Sequence, residues 1–364
     1  MCFYYRLITK IIGTLLNNCI FEIYMDSITQ IVLGAACGEA VLGKKIGNRA
    51  LLFGAIGGTI PDLDVFVGSL FFGNKIDAMA FHRGFMHSFL FAILAAVGFG
   101  ILVYWIYNRG KRLGMTTQND WIWLFFASIF THPILDSFTA YGTQLFAPFS
   151  DYRVAFNTIA VADPLYTLPF LVALIIMMCF KRTSIKRRLF LKIGLGVSSL
   201  YMVFTVVTKY HVHGVYKKSL ELQQIDYVRF QTQPTILNSI LWYGIAETTD
   251  AYYVGFYSIL DTEPVVGKWQ RLPKNHELIA GMPKDLKTLA WFSSGYYSLN
   301  ETDNPNTFIF KDLRYPLRDE NDPNSSIFKF SITKKEERWE ATPFYDSEVS
   351  EGDLDAFWTR LKGI

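Results

Sequence analysis

Six apolar stretches, separated by short polar segments, fill residues 28–208 of this chain and constrain its fold more than any other feature. They cover residues 28–42, 50–72, 84–107, 121–138, 165–180 and 189–208. A helix needs about 20 mostly apolar residues to cross a bilayer, or somewhat fewer when it is short or broken. We therefore predict an α-helical polytopic membrane domain with about six spans.

The second stretch contains the sequence GGTIPDLDVF, in which a proline and two aspartates interrupt the apolar residues. Proline lacks the backbone N–H that a helix needs, so this sequence predicts a broken span. Non-helical backbone at membrane depth persists only where protein or a water-filled cavity surrounds it.

The composition agrees with a membrane location. Hydrophobic residues make up 51% of the chain and charged residues 18%, whereas soluble domains contain about 25% charged residues. The formal net charge of +3 is too small to indicate nucleic acid as a partner. The lipid bilayer is the partner that the composition predicts.

Residues 209–364 carry most of the acidic residues and follow a different pattern. The segments AYYVGFYSI, TFIFKDL and SSIFKFSITK have the β-branched and aromatic content of strands. We predict a soluble, β-rich α+β domain here, with a short terminal helix at 353–362.

The membrane domain is assigned to residues 25–208, because the organised pattern begins at Met25. Residues 1–24 are interpreted as an N-terminal extension, with a signal peptide as the alternative.

Three loops rich in Lys and Arg, at residues 44–49, 109–112 and 181–188, alternate with acidic or histidine-bearing loops. The positive-inside rule places the basic loops in the cytoplasm. With six spans, this orientation puts the domain after Lys209 outside the cytoplasm.

Under this topology, the histidines and most ionisable residues of the spans gather on the outer side, and a shared divalent ion explains their presence. Charged side chains within a bilayer are costly, and a cation offsets carboxylate charge. His132 and Asp136, four residues apart, share a helix face. The set comprises Asp26, Asp62, Asp64, His82, Arg83, His87, His132, Asp136 and Asp163.

Zinc suits this donor set best, as one ion or two. His82 and His87 can converge if His82 lies in the loop and His87 in the first helical turn, with Gly84 allowing the bend. Singly, these residues have structural alternatives. His132 and Asp136 could form a buried hydrogen bond, and Asp163 before a proline is a common helix start.

Arg153 is a further candidate, because a guanidinium suits phosphate and carboxylate groups. It could bind an anionic part of a substrate, or pair with Asp151 or Asp163.

Four segments that occur in order, MDSITQIVLGAACGEAVLGKK, GAIGGTIPDLD, HRGFMHS and THPILDSFTAYGTQLFAPFS, resemble the YdjM-type family of membrane-bound metal-dependent hydrolases. The resemblance covers about residues 25–208. It implies an inner-membrane hydrolase. It also implies metal binding by the aspartates and histidines of these motifs, namely Asp62, Asp64, His82, His87, His132 and Asp136.

One position departs from the family pattern. Many members read Asp-x-x-Thr-His near the start, whereas Gln30 follows Thr29 here. Gln30 lies four residues after Asp26 and can still point at the site, but an amide does not replace imidazole as a strong ligand.

We therefore expect a hydrolase that acts on an ester or phosphoester of a lipid or lipid-linked substrate at the outer side of the membrane. Asp62 or Asp64 would act as general base, and Arg83 would stabilise developing negative charge. The alternatives are an ion-binding transporter and a membrane anchor that presents the C-terminal domain to a partner.

Overall fold

The computed structural model describes residues 19–320, 322–335, 338–344 and 351–363, without the side chains of residues 19–26, 338, 351 and 353. Most of the predicted N-terminal extension therefore lies outside the described residues. The chain forms two compact units. One comprises Glu22–Phe71 and Phe81–Val206, and the other includes Phe72–Ala80 and Val207–Ile364.

The N-terminal part of the chain is helical. Short 3-10 turns at Pro61–Leu63 and Phe85–His87 precede α3 and α5. The helices are α1 (Cys19–Ile46), α2 (Asn48–Thr59), α3 (Asp64–Phe71), α4 (Lys75–Phe81), α5 (Phe89–Tyr107), α6 (Gln118–Ser137), α7 (Pro164–Met178) and α8 (Ile185–Leu222).

The structure does not support six spans. Among the described helices, only α5 and α8 are long and apolar enough to cross a bilayer, and α2 with the segment Pro61–Phe71 adds a third if this pair, bent by 44°, is one span. Helix α7 has 15 residues, so its length of about 22 Å falls short of the hydrocarbon thickness of about 30 Å. Polar and charged residues lower the hydropathy of α1 and α6.

Helices α1 and α2 pack against each other through glycine. A Cβ atom at Gly34 would overlap the carbonyl oxygen of Gly54, and one at Gly58 would overlap the carbonyl oxygen of Gln30. Gly38 approaches Gly54 in the same way. Each helix thus presents a Gly-x-x-x-Gly pattern, which lets two backbones approach closely in a membrane protein.

A buried ion pair links α1 to the beginning of α8. The Arg187 guanidinium donates two hydrogen bonds to the Glu39 carboxylate, of 2.7 Å from Nε and 2.6 Å from Nη2. Arg187 also donates to the Asn48 side chain at 2.7 Å. Glu39 is therefore paired within the helical unit.

The second unit contains two four-stranded antiparallel sheets, which confirms the prediction of a β-rich C-terminal domain. The first consists of β1 (Arg229–Pro234), β2 (Leu241–Glu247), β3 (Ala251–Ser258) and β4 (Gln270–Pro273). The second consists of β5 (Tyr297–Glu301), β6 (Thr307–Asp312), β7 (Lys329–Lys335) and β8 (Arg338–Phe344). Two helices, α9 (Lys284–Phe292) and α10 (Glu351–Leu361), also belong to this unit.

Candidate metal centre

The break between α2 and α3 places two aspartates on a tight turn. Helix α2 ends at Thr59, and Pro61 begins the 3-10 turn that contains Asp62. Asp64 is the first residue of α3 and is fully buried. Because the two side chains leave the turn at different points, they reach different partners.

The segment after α4 is held by hydrogen bonds to its backbone. Arg83 has φ 57°, a left-handed conformation that non-glycine residues rarely adopt. Its backbone N–H donates to Asp64 Oδ2 at 2.9 Å. The 3-10 turn Phe85–His87 follows, and Ser88 caps α5. This arrangement directs the buried His87 side chain toward the aspartates.

Three donor atoms from three separate segments converge. His87 Nε2 and His132 Nε2 are 3.1 Å apart. Asp62 Oδ1 lies 3.5 Å from the first nitrogen and 3.4 Å from the second. Both imidazoles are fully buried, whereas the Asp62 side chain is 19% exposed. Among the described residues, these three form a group that could hold a metal ion.

The spacing of these atoms fits one tetrahedral ion. Zinc bonds of 2.0–2.1 Å to histidine imply a distance of about 3.3–3.4 Å between neighbouring donors. The three observed distances, 3.1, 3.4 and 3.5 Å, lie close to that value. A catalytic zinc site has three protein ligands and one open position, and the exposed edge at Asp62 is where such a position would meet solvent.

The other ring nitrogen of each histidine faces an acceptor. His132 Nδ1 lies 2.6 Å from the carbonyl oxygen of Gly58. His87 Nδ1 lies 3.0 Å from Asp64 Oδ2. An acceptor beside Nδ1 favours a proton on that nitrogen, which leaves the Nε2 lone pair for a metal. In that tautomer neither Nε2 atom carries a proton, so the two cannot hydrogen-bond to each other and the geometry fits a cation.

Asp136 borders the group on the α6 side. Its Oδ2 atom lies 3.4 Å from the Nε2 atoms of both His87 and His132. The same oxygen is 3.3 Å from Arg83 Nε. It has no hydrogen bond of normal geometry among the described residues. The spacing of four along α6 therefore brings His132 and Asp136 to one place.

Asp64 and His82 lie next to the group. Asp64 Oδ1 is 2.8 Å from His82 Nδ1, and Asp64 Oδ2 contacts the backbone of Arg83 and the ring of His87. Such carboxylate–histidine contacts orient metal ligands from outside. His82 does not belong to the three-residue group among the described residues.

The two candidate arginines flank one aromatic ring. The guanidinium carbons of Arg83 and Arg153 lie 4.8 and 5.0 Å from the centre of the Tyr141 ring. Arg153 donates to the carbonyl oxygens of His82 and Gly142, at 3.3 and 3.0 Å. Arg153 thus fastens the loop after α6 to the histidine segment.

Two further sequence candidates have other positions. Asp163 caps α7 through a 2.9 Å hydrogen bond from the Leu165 amide and accepts one of 2.7 Å from the Tyr201 hydroxyl. Asp26 lies in α1, but its side chain is outside the described part of the structure.

Helix α1 supplies two contacts to the carboxylates. Gln30 Nε2 donates to Asp136 Oδ1 at 2.6 Å. Ser27 Oγ donates to Asp62 Oδ2 at 3.0 Å. Ser27 was not predicted from the sequence, because a serine in a helix carries no signal of this role by itself.

The loop between α6 and α7 exposes a row of aromatic side chains. Phe146, Phe149, Tyr152 and Phe156 are 54%, 84%, 69% and 51% exposed. A backbone pairing of Thr143 with Val154 closes this loop on itself, and the hydrogen bond from Arg153 to the His82 carbonyl oxygen ties it to the candidate site.

Comparison with known proteins agrees with the motifs. Uncharacterized protein YfhP of Bacillus subtilis (strain 168) is 26% identical over 242 residues, which are 64% of this chain and 68% of that protein. Inner membrane protein YbcI of Escherichia coli (strain K12) is 33% identical over 129 residues, which are 35% of this chain and 69% of that protein. No solved structure matches this chain.

The family model described as YdjM inner membrane protein matches residues 25–212, which contain every residue of the candidate metal centre. The resemblance inferred from the motifs is thereby confirmed, and the chain belongs to the YdjM inner membrane protein family.

Proposed function

We propose that this protein is a membrane-bound hydrolase that uses one divalent ion, zinc being the best fit. The observation that carries the proposal is the approach of His87 Nε2 to His132 Nε2, 3.1 Å apart beside Asp62. Two metal ions in one site lie about 3.5–4 Å apart and need more donors between them. A group this compact favours a single ion.

Asp62, His87 and His132 would hold the ion, which supplies a Lewis acid that activates water near neutral pH. Asp136 Oδ2 is the best acceptor for the proton that the water gives up, because Gln30 already engages Oδ1. Arg83 lies 3.3 Å from that oxygen and places positive charge where an ester or phosphoester would develop negative charge. In this proposal Asp64 orients His87 and is not the general base.

An amphiphilic substrate, an ester or phosphoester of a lipid or lipid-linked compound, fits the surroundings of the site best. Exposed apolar side chains such as those of the 146–156 loop mark surfaces that contact membranes or partners, and Tyr152 is of the type enriched at membrane interfaces. The same loop contacts the backbone of His82 through Arg153. A substrate whose polar group lies at the membrane surface would then meet the site without leaving the lipid.

The side of the membrane follows from the basic loops. We place the candidate centre and the C-terminal unit each outside the cytoplasm, because the basic loop 109–112 follows α5, the basic loop 181–188 leads into α8, and both loops are expected inside.

The test uses the purified full-length protein. Its metal content is measured by mass spectrometry, and hydrolysis is assayed on nitrophenyl esters, nitrophenyl phosphodiesters and phospholipids. We expect one bound divalent ion per chain, and we expect His132→Ala to lose the ion and hydrolysis together. Hydrolysis that survives complete metal removal would overturn the proposal. Metal binding with ion flux in proteoliposomes and no hydrolysis would favour the transporter alternative.

A further inference from the structure

Two hydrogen bonds from one helix act on two different carboxylates of the candidate centre. Ser27 Oγ donates to Asp62 Oδ2, while Asp62 Oδ1 faces the two imidazoles. Gln30 Nε2 donates to Asp136 Oδ1, while Asp136 Oδ2 faces the same imidazoles. In each case α1 takes one oxygen of the carboxylate and leaves the other oxygen for the site.

The spacing along α1 makes this double contact a property of one helix face. Ser27 and Gln30 are three residues apart, so their side chains lie on the same side of α1. Thr29 lies between them in sequence and points elsewhere, where its hydroxyl is 2.7 Å from that of Thr167 in α7. The face that carries Ser27 and Gln30 is thus separate from the face that packs against α7.

The orientation of the Gln30 amide is fixed by its neighbours. Its Nε2 lies 2.6 Å from Asp136 Oδ1 and 3.2 Å from the carbonyl oxygen of His132. Both neighbours only accept hydrogen bonds, so the NH2 group must face them. The amide oxygen is then buried without a hydrogen bond among the described residues. The side chain therefore leaves one polar atom unsatisfied while it holds Asp136.

We infer that Ser27 and Gln30 are positioning residues that leave Asp62 and Asp136 one oxygen each on the side of the ion, Asp62 as a ligand and Asp136 as the acceptor beside it, and so select a small ion with few ligands. The inference rests on the proposed metal centre. Calcium takes six to eight oxygen ligands and accepts two from one carboxylate. Zinc takes about four ligands, nitrogen among them. A carboxylate whose second oxygen is engaged by α1 suits zinc and disfavours calcium.

The role differs from that of a ligand. An amide is a poor zinc donor, and the Gln30 group that faces the site is its NH2 group, which cannot bind a cation. Gln30 thus acts on the ion only through Asp136, as Ser27 acts only through Asp62. Outer partners of this kind change metal affinity by about 10–100-fold.

The experiment measures metal binding by the full-length protein in detergent, by competition with a chromogenic chelator for zinc and by direct titration for calcium. The variants are Ser27→Ala and Gln30→Met, since methionine keeps the volume of glutamine and cannot donate. Thr29→Val is the matched control, because it removes a buried hydrogen bond on the other face of α1. Circular dichroism and size exclusion verify that each variant is folded.

We expect Ser27→Ala and Gln30→Met each to weaken zinc binding about 10–100-fold and to reduce the ratio of zinc affinity to calcium affinity. We expect Thr29→Val to bind both ions as the wild type does. Wild-type zinc affinity and preference in both variants would overturn the inference. An equal loss of zinc affinity in Thr29→Val would also overturn it, because the effect would then come from the stability of α1.

Failure of the proposed function has a different signature. If the wild type binds no zinc, or if His132→Ala binds it as tightly, the metal centre itself is wrong. If the wild type binds zinc and His132→Ala does not, the proposed metal centre is supported. The Ser27→Ala and Gln30→Met variants then test only the positioning roles of Ser27 and Gln30.

Discussion

His87 and His132 face each other through Nε2 atoms 3.1 Å apart, and each has its Nδ1 atom beside an oxygen. With protons on both Nδ1 atoms, neither Nε2 atom has a hydrogen to offer the other. Two lone pairs at this distance in a buried place repel each other unless a positive charge lies between them. Among the described residues, this pair is the observation that best supports the proposed cation.

The first prediction separates ligands from their neighbours. His87→Ala and His132→Ala should each abolish stoichiometric zinc binding, because each removes one of three donors. His82→Ala should retain the ion with affinity reduced about 10–100-fold, since His82 acts through Asp64. Zinc titration checks this, with exposed His211→Ala as the control. Complete loss of zinc in His82→Ala would make His82 a ligand.

The second prediction concerns the buried pair of Glu39 and Arg187. Removing one partner leaves an uncompensated charge and should cost about 3–5 kcal/mol in free energy of unfolding. Glu39→Leu and Arg187→Met should each lower the free energy of unfolding by this amount, whereas the double variant should recover most of the lost stability. Denaturant unfolding of the three variants in micelles gives the coupling energy. Additive single effects would show that the two side chains do not stabilise each other.

The third prediction tests the contact of α1 with α2. A methyl group at Gly58 would overlap the carbonyl oxygen of Gln30, so Gly58→Ala should push α1 away and weaken zinc binding at least tenfold, about 1.4 kcal/mol. Gly98→Ala on α5 is the control, because a Cβ atom there meets nothing within 4 Å. Thermal unfolding and zinc titration check both variants. Wild-type thermal stability and zinc affinity in Gly58→Ala would show that α1 and α2 are not in contact as closely as the structure places them.

The fourth prediction concerns the aromatic loop. A nitroxide attached at Phe149→Cys, with the four native cysteines replaced by alanine, should be more accessible to oxygen than to a water-soluble nickel reagent in bilayers. The reason is that Phe149 is a large apolar side chain, 84% exposed, and such exposed apolar surface in a membrane protein is expected to contact lipid. Asp303→Cys, in an exposed loop of the C-terminal unit, should show the opposite ratio. Equal ratios at both positions would remove the support for a lipid substrate.

The fifth prediction concerns orientation. Alkaline phosphatase fused after Ile364 should be active in a bacterial host, because it becomes active only outside the cytoplasm. Green fluorescent protein fused at the same place should be dark, because it does not become fluorescent when it is exported in an unfolded state. The basic loops are the reason for this expectation. A bright fluorescent fusion would place the C-terminal unit in the cytoplasm.

The sequence predicts that the histidines and aspartates of the motifs converge, but it does not predict which of them form the three-residue group and which lie beside it. Asp62, His87 and His132 stand in separate motifs, and the structure brings their donor atoms together. His82 and His87 look alike in the sequence HRGFMHS, because nothing in it shows which nitrogen faces the other segments. The distinction arises from the left-handed backbone of Arg83 and from Asp64 beneath it.

The number of spans was overestimated for a related reason. In a sequence, an apolar stretch has the length of a membrane span whether its side chains contact lipid or other parts of the protein. In α6, Trp121, Phe125 and Ile129 are buried inside the helical unit. The same helix also carries His132 and Asp136, which lower its hydropathy. Hydropathy alone therefore does not separate a helix that forms the core from one that faces the bilayer.

The glycine contacts between α1 and α2 also bear on how the ion is gained and lost. They join backbone to backbone and involve no charged group, so we expect the framework around the carboxylates to form without the proposed ion. Small zinc domains, by contrast, are unfolded until the metal arrives, because the metal is their main source of cohesion. Here the ion would enter a preformed site. Its exchange rate would then depend on access through the partly exposed edge at Asp62 and not on refolding of the chain.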